Sequence, residues 1–347
     1  MEVQNLVRSN ILQLKPYASA RSEYKGVAEV YLDANENPYD TGFNRYPDPL
    51  QWKLKEQLAA LKGVEPAQIF LGNGSDEAID LLIRIFCEPR QDQIMILPPT
   101  YGMYKVSADI ADVGVVEVPL LKGFQPDVPA ILAKATLNTK LLFLCSPNNP
   151  TGNTFTTSKV EQLLQAFPGI VVIDEAYIDF SSKASWTQVL AQYPRLVVMQ
   201  TFSKAWGLAG IRLGMAFAHP SIIGLFNKVK PPYNINQLTQ NAALEALDQV
   251  EQRKAWVQQL LGQRVLLQQY LMGLEFVEHI YPSEANFLLV KMTDPIAVYQ
   301  YLIEQQIIVR NRSKVLLCEG CLRITVGIPA ENNRLIKALM AFQPKTV

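Results

Sequence analysis

Short apolar runs rich in β-branched residues recur through most of the chain: Gln93–Leu97, Val113–Val118, Lys140–Leu144, Ile170–Ile173, Leu196–Met199 and Leu213–Ala218. They lack the strict alternation of a half-buried strand, so they predict strands covered on both faces. Between several of them apolar residues recur at helical spacing, as in Ala78–Phe86 and Ser158–Ala166, the latter with Thr157 and Ser158 as candidate caps. Strands alternating with helices predict βαβ units and an α/β fold with a mostly parallel sheet. In such a sheet, functional residues gather beyond the carboxyl ends of the strands.

The texture changes after Pro231-Pro232. From Asn236 to about Met272 the chain is rich in Gln, Leu and Ala and predicts one long helix. Strand-like runs follow at Phe287–Val290, Ile307–Val309 and Leu322–Val326, then a helix from Glu331. The division this predicts is a large α/β domain over 30–235 and a smaller α+β domain made of 1–29 and 236–347. A chain of 347 residues with 49% hydrophobic content can fill two such cores.

Charge and cysteine narrow the function classes. Lys+Arg and Asp+Glu are 32 each, a formal net charge of +0, which argues against a nucleic-acid or anionic-membrane surface. No apolar stretch is long enough to span a bilayer, and Met1 to Leu14 lacks the apolar core of a signal peptide. The expected location is cytoplasmic. Cys87 and Cys145 sit in apolar runs and read as core residues. Cys318 and Cys321 form a lone C-x-x-C, and neither His219 nor His279 stands in metal-ligand spacing, so no metal is expected.

Thr201-Phe202-Ser203-Lys204-Ala205-Trp206-Gly207-Leu208-Ala209-Gly210-Ile211-Arg212-Leu213-Gly214 carries the strongest chemical signal. A lysine just past a buried strand can form a Schiff base, and the hydroxyls and arginine around it can hold a phosphate. Those are the needs of pyridoxal 5′-phosphate. Three more segments fit. Gly72-Asn73-Gly74-Ser75-Asp76-Glu77 opens a helix after a strand-like Ile69-Phe70-Leu71; it reads either as a turn and cap or as an anion site at a helix N-terminus. Asp174, in Ile173-Asp174-Glu175-Ala176-Tyr177, ends a strand. It is either an ordinary acidic strand terminus or a partner for a pyridine nitrogen, with Tyr177 near the ring oxygen. Asn149, in Ser146-Pro147-Asn148-Asn149-Pro150-Thr151-Gly152, belongs to a Pro-rich segment that is either an ordinary turn or one placed to reach the same oxygen.

In this order, G-N-G-S-D-E, S-P-N-N-P-T-G, D-E-A-Y and T-F-S-K-A-W-G-L-A-G-I-R-L-G resemble the fold-type-I, pyridoxal-phosphate-dependent aminotransferases over nearly the whole chain. The resemblance is closest to the histidinol-phosphate aminotransferase branch. Leu32-Asp33-Ala34-Asn35-Glu36-Asn37-Pro38, Arg45-Tyr46-Pro47-Asp48-Pro49, Asn286-Phe287 and Leu322-Arg323-Ile324-Thr325-Val326-Gly327 support it. It implies a large domain with a mostly parallel, mixed sheet covered by helices, plus a smaller α+β domain. It implies Lys204 as the Schiff-base lysine, Asp174 as the pyridinium partner, Asn149 and Tyr177 at the ring oxygen, and Tyr101 stacked on the ring. Gly74, Ser75, Asp76, Ser203 and Arg212, joined by Thr201, match the phosphate cup. Tyr46 resembles a residue that reaches the phosphate from a neighbouring subunit, which implies a homodimer with shared active sites. Arg323 matches the arginine on the substrate's anionic end; Tyr17, Asn35 and Arg310 resemble further substrate contacts.

The activity so implied is transfer of the amino group of L-histidinol phosphate to 2-oxoglutarate, in histidine biosynthesis. An aromatic-amino-acid aminotransferase or a threonine-phosphate decarboxylase would share the cofactor cup. A non-catalytic cofactor-binding regulator is the alternative from another class; the full catalytic set and the absence of a preceding DNA-binding segment speak against it.

Overall fold

The computed structural model describes residues 2–16 and 29–343. Within them, β1 (Ile69–Asn73), β2 (Gln93–Ile96), β3 (Gly114–Glu117), β4 (Thr139–Cys145), β5 (Ile170–Asp174), β6 (Leu196–Thr201) and β7 (Leu213–Ala218) form one sheet. Its order is β1-β7-β6-β5-β4-β2-β3. Only β7 runs antiparallel to its neighbours, β1 and β6; the remaining pairs are parallel.

Pleating explains why the central strands carry unbroken apolar runs. Successive residues point to opposite faces. In β5, Val171 and Ile173 join one core while Ile170 and Val172 join the other, and all four are buried. The first core is completed by Leu54 and Leu58 of the helix Trp52–Lys62, Ile131 of Val128–Lys134 and Leu163 of Thr157–Ala166. The second contains Ile79 and Leu82 of Gly74–Phe86, Tyr104 of Met103–Ile110 and Phe226 of Pro220–Val229. Each buried side chain of this size contributes about 1.5–3 kcal/mol.

A second sheet is antiparallel: β8 (Val277–Ile280), β9 (Phe287–Met292), β10 (Arg310–Asn311) and β11 (Cys321–Thr325), in the order β10-β11-β9-β8. Leu288, Val290, Leu322 and Ile324 pack under the helices Val250–Met272, Pro295–Glu304 and Pro329–Ala341. The opposite face sends Leu289 and Cys321 into the core of the large sheet, and Phe287 against Tyr177 and Ala205. The small sheet therefore leans on the end of the large sheet where the D-E-A-Y and lysine segments emerge. No helix among the described residues is long and apolar enough to cross a membrane.

Three local expectations are corrected. The long helix is two, Gln237–Leu247 and Val250–Met272. Ala243 and Leu247 join the large-sheet core, whereas Leu267 and Leu271 join the small one, and a straight rod cannot serve both. The strand expected at Ile307–Val309 forms later, at Arg310–Asn311. There Ile307 N–H bonds back to Leu302 O at 2.8 Å to close a helix, and Ile308 is exposed. The N-cap of the helix Thr157–Ala166 is Thr156, which makes no side-chain cap bond, rather than Thr157 or Ser158, which lie inside the helix.

Candidate active site

The parallel strands bring their carboxyl ends to one edge. Cys145 lies opposite Asp174 in the β4–β5 pair, and Asp174 opposite Met199 in the β5–β6 pair. Because β7 is antiparallel, its beginning lies at that edge too, with Leu213 opposite Asn73 of β1. Arg212 is thereby set beside the Gly74 turn, and Gly74 N–H donates to Arg212 O at 2.9 Å. Gly74 has φ of +70°, and a Cβ on it would lie 2.7 Å from an Arg212 Nη. Gly214 is more constrained: a Cβ there would lie 2.2 Å from the Ser75 backbone nitrogen. Only glycine lets the strand approach the start of the helix so closely.

At this edge lies a cavity of about 600 Å³. Gly74, Ser75, Asp76, Tyr101, Asn149, Asp174, Tyr177, Thr201, Ser203, Lys204, Arg212, Arg310 and Arg323 all line it, so it gathers thirteen of the sixteen residues named from sequence. Lys204 opens to the cavity; partial burial, then the neighbouring Arg323, lowers the pKa of its amine from 10.5. Its Nζ sits 5.7 Å from the centre of the Tyr177 ring. Asp174 is buried, which raises its pKa from 3.8, opposed by hydrogen bonds from Tyr104 and the Ala176 amide. Tyr104 O–H donates to Asp174 Oδ2 at 2.6 Å, and Ala176 N–H donates to Oδ1 at 3.0 Å.

The hydroxyls of Thr201 and Ser203 are 3.0 Å apart, and Ser203 N–H donates to Thr201 Oγ1 at 3.0 Å. Asp76 accepts from Tyr101 O–H at 3.1 Å and lies 3.6 Å from the Arg212 guanidinium. Asn149 Nδ2 donates to Tyr177 Oη at 3.5 Å, while its Oδ1 accepts from Arg323. Arg323 also lies over the ring of Phe287, 5.2 Å from its centre. This follows from register: Arg323 is opposite Leu289 in the β9–β11 pair, on the face that meets the large domain.

Two of the named residues lie elsewhere. Asn35 and Tyr46 line a separate cavity of about 530 Å³, where Tyr46 stacks on Tyr233 at 4.5 Å. Tyr17 falls outside the described residues. Two residues not singled out from sequence also belong to the site. Tyr104 carries the hydrogen bond to Asp174 and stacks on Phe143. Its signal was its position three residues after Tyr101, at the start of the helix Met103–Ile110. Arg312 lines the cavity two residues after Arg310, the period of one strand face.

The arrangement offers a partly desolvated amine, a buried carboxylate facing the same space, a cradle of hydroxyls and backbone at a helix start, and arginines on the far wall. The model of the family "Aminotransferase class I and II" matches residues 20–339. The histidinol-phosphate aminotransferase of Cytophaga hutchinsonii is 55% identical over 98% of this chain and 99% of its own. The solved histidinol-phosphate aminotransferase of Sinorhizobium meliloti, in complex with pyridoxal 5′-phosphate, matches with a TM-score of 0.78 at 25% identity, covering 85% of this chain and 82% of that one. The L-threonine-O-3-phosphate decarboxylase of Porphyromonas gingivalis matches with a TM-score of 0.72 at 25% identity, covering 86% of this chain and 90% of that one. The chain belongs to the class I and II aminotransferases and, within them, to the histidinol-phosphate aminotransferases.

Proposed function

We propose that this cavity binds pyridoxal 5′-phosphate and transfers the amino group of L-histidinol phosphate to 2-oxoglutarate, giving imidazole-acetol phosphate and L-glutamate. The observation that carries the reading is the convergence of Lys204, Asp174 and the Gly74 turn on one cavity. The donor set fits the cofactor. Asp174 is a buried carboxylate whose pKa burial has raised, and a cation beside it would offset that cost. The Gly74 turn offers helix-start amides and the Ser75 hydroxyl, and the lysine segment offers the Ser203 hydroxyl and Arg212, to a phosphate.

In this reading Lys204 holds the aldehyde carbon, Asp174 the ring nitrogen, and Asn149 and Tyr177 the ring oxygen. Tyr101 covers a ring face. Gly74, Ser75, Asp76, Thr201, Ser203 and Arg212 form the phosphate cup. When bound, the cofactor supplies an electron sink for the bond broken at the substrate carbon. Lys204, once its amine is free, would serve as the base that takes the proton from the substrate carbon and as the acid that gives a proton back. Its lowered pKa favours the neutral amine this requires. Asp174 retains its negative charge so that a proton stays on the ring nitrogen. Arg323, aided by Arg310, grips the phosphate of the donor and the carboxylate of the acceptor in turn. Tyr46 and Asn35, away from the Lys204 cavity, are supplied to a partner's site in a homodimer, and Tyr17 helps enclose the substrate.

Borohydride reduction of cofactor-loaded protein followed by peptide mapping should label Lys204, and Lys204→Ala should lose both label and transamination. A label at another position overturns the assignment. Half-reactions with a panel of amino donors test the substrate. Histidinol phosphate should be preferred; preference for phenylalanine, or release of CO₂ from threonine phosphate, would favour the sister activities.

A further inference from the structure

The proposed reaction uses Arg323 and Arg310 and leaves Arg312 without a task. Arg310 lies directly opposite Arg323 in the β10–β11 pair. Arg312 N–H then donates to Cys321 O at 2.9 Å, extending the antiparallel contact past the end of β10. Residues two apart share a face, so the geometry that aims Arg310 at the cavity aims Arg312 there as well. Three guanidinium groups thus line one wall.

None of them is balanced among the described residues. Among the described residues no carboxylate lies within ion-pair distance of Arg310, Arg312 or Arg323. The Nε atoms of Arg312 and Arg323 are buried without an acceptor. Burial, then Arg323 and Arg310, lowers the pKa of Arg312. Like charges gathered against a partly desolvated wall are costly unless an anion completes them. A carboxylate has two oxygens, and one planar guanidinium fork can satisfy both. A phosphate monoester dianion has a third terminal oxygen and a second charge, and so has use for further guanidinium groups.

We propose that Arg312 is a specificity-determining residue: it engages the phosphate dianion of the amino donor and is idle when a carboxylate takes the same place. The inference rests on the proposed function, deepening it from one shared anion site to a site with a phosphate-only contact. Its test compares the two half-reactions of the cofactor-loaded enzyme. Arg312→Gln should lower kcat/KM for histidinol phosphate about 10- to 100-fold, mostly through KM, and change that for glutamate by less than about twofold. Arg312→Lys, which keeps the charge but not the fork, should recover part of the loss. Equal losses with both substrates, or no loss with histidinol phosphate, overturn the proposal; equal losses would point to a structural role beside Tyr177 and Cys318.

Binding gives a readout independent of turnover. In borohydride-reduced holoenzyme the cofactor's own phosphate fills its cup, so added inorganic phosphate reports on the arginine wall. Calorimetric titration should show phosphate bound about tenfold more weakly by Arg312→Gln, with acetate unchanged. Identical phosphate affinities in the two proteins overturn the proposal. If wild-type enzyme fails to turn over histidinol phosphate while the phosphate titrations still differ, it is the assigned substrate that fails and not the role of Arg312.

Discussion

Glu175 offers the sharpest test of how burial has shaped the strand end beside this site. It follows Asp174 directly, is 1% exposed, and accepts hydrogen bonds from Ser185 O–H at 2.6 Å, Trp186 N–H at 2.8 Å and Gln200 Nε2 at 2.8 Å. Burial nonetheless raises its pKa from 4.5 to about 7, with those donors and Lys62 pulling the other way. The unfolded chain releases this proton near 4.5, whereas the folded protein keeps it until about 7. The folded state therefore binds more protons in that window, and stability falls as pH rises through it. Above it the cost is constant, on the order of 3 kcal/mol. Glu175→Gln has no charge to bury. Its amide oxygen can accept from Trp186, and a half-turn of Gln200 offers its Oε1, buried without a partner, to the new N–H. With saturating cofactor, the variant should melt within about 1 °C of wild type at pH 5 and about 4 °C higher at pH 8, since this cost is spread over the unfolding entropy of a chain of 347 residues. A variant that melts lower at pH 8, or a difference that does not grow between pH 5 and pH 8, would refute the reasoning.

Other perturbations test the supports around the cavity. Gly214→Ala would place a methyl 2.2 Å from the Ser75 backbone nitrogen, so β7 and the Gly74 turn must part; cofactor affinity measured by equilibrium dialysis should fall at least tenfold, and unchanged affinity would contradict the close packing. Tyr104→Phe keeps the stack on Phe143 but removes the 2.6 Å donor to Asp174. It should cost the cofactor-free protein about 1.5–3 kcal/mol at pH 8, and less as acid protonates Asp174; a melting-temperature loss independent of pH would count against it. Arg253 pairs with Asp179 and lies over the Trp206 ring, 4.7 Å from its centre. Arg253→Met should therefore lower the melting temperature, whereas the exposed Lys254→Met beside it should change it little.

Most of the large sheet was legible in the sequence because one physical rule governs it. Strands buried on both faces are apolar through their middle, and Ile170–Ile173 and Leu196–Met199 are unbroken apolar runs that turn polar only at their carboxyl ends, at Asp174, Gln200 and Thr201. The rule fails where burial is one-sided or the turn decides. Val277–Ile280 buries only its last residue deeply and passes unnoticed as a strand, and Ile307–Val309 looks like one but closes a helix. The break at Asp248 and Gln249 carries no glycine or proline, because two cores rather than a local signal set it. Arg312 was missed for a related reason: nothing in V-R-N-R says which arginine finds a carboxylate, and here the fold provides none among the described residues.

The readability of the lysine segment has a topological cause. In a wholly parallel sheet the residue after one strand and the residue before the next lie at opposite edges. Here β7 reverses direction, and Phe202 N–H meets Leu213 O at 3.0 Å, so the loop from Ser203 to Arg212 begins and ends at the same edge. Lys204 and Arg212 can then serve one cavity while standing close in sequence. Asp174 and Asn149 reach that edge by ending parallel strands or turns, and Arg323 reaches it only because the small sheet packs Leu289 and Cys321 into the large core. Contacts made by chain reversal leave a contiguous motif; contacts made by packing one sheet on another leave an isolated arginine that the sequence alone cannot orient.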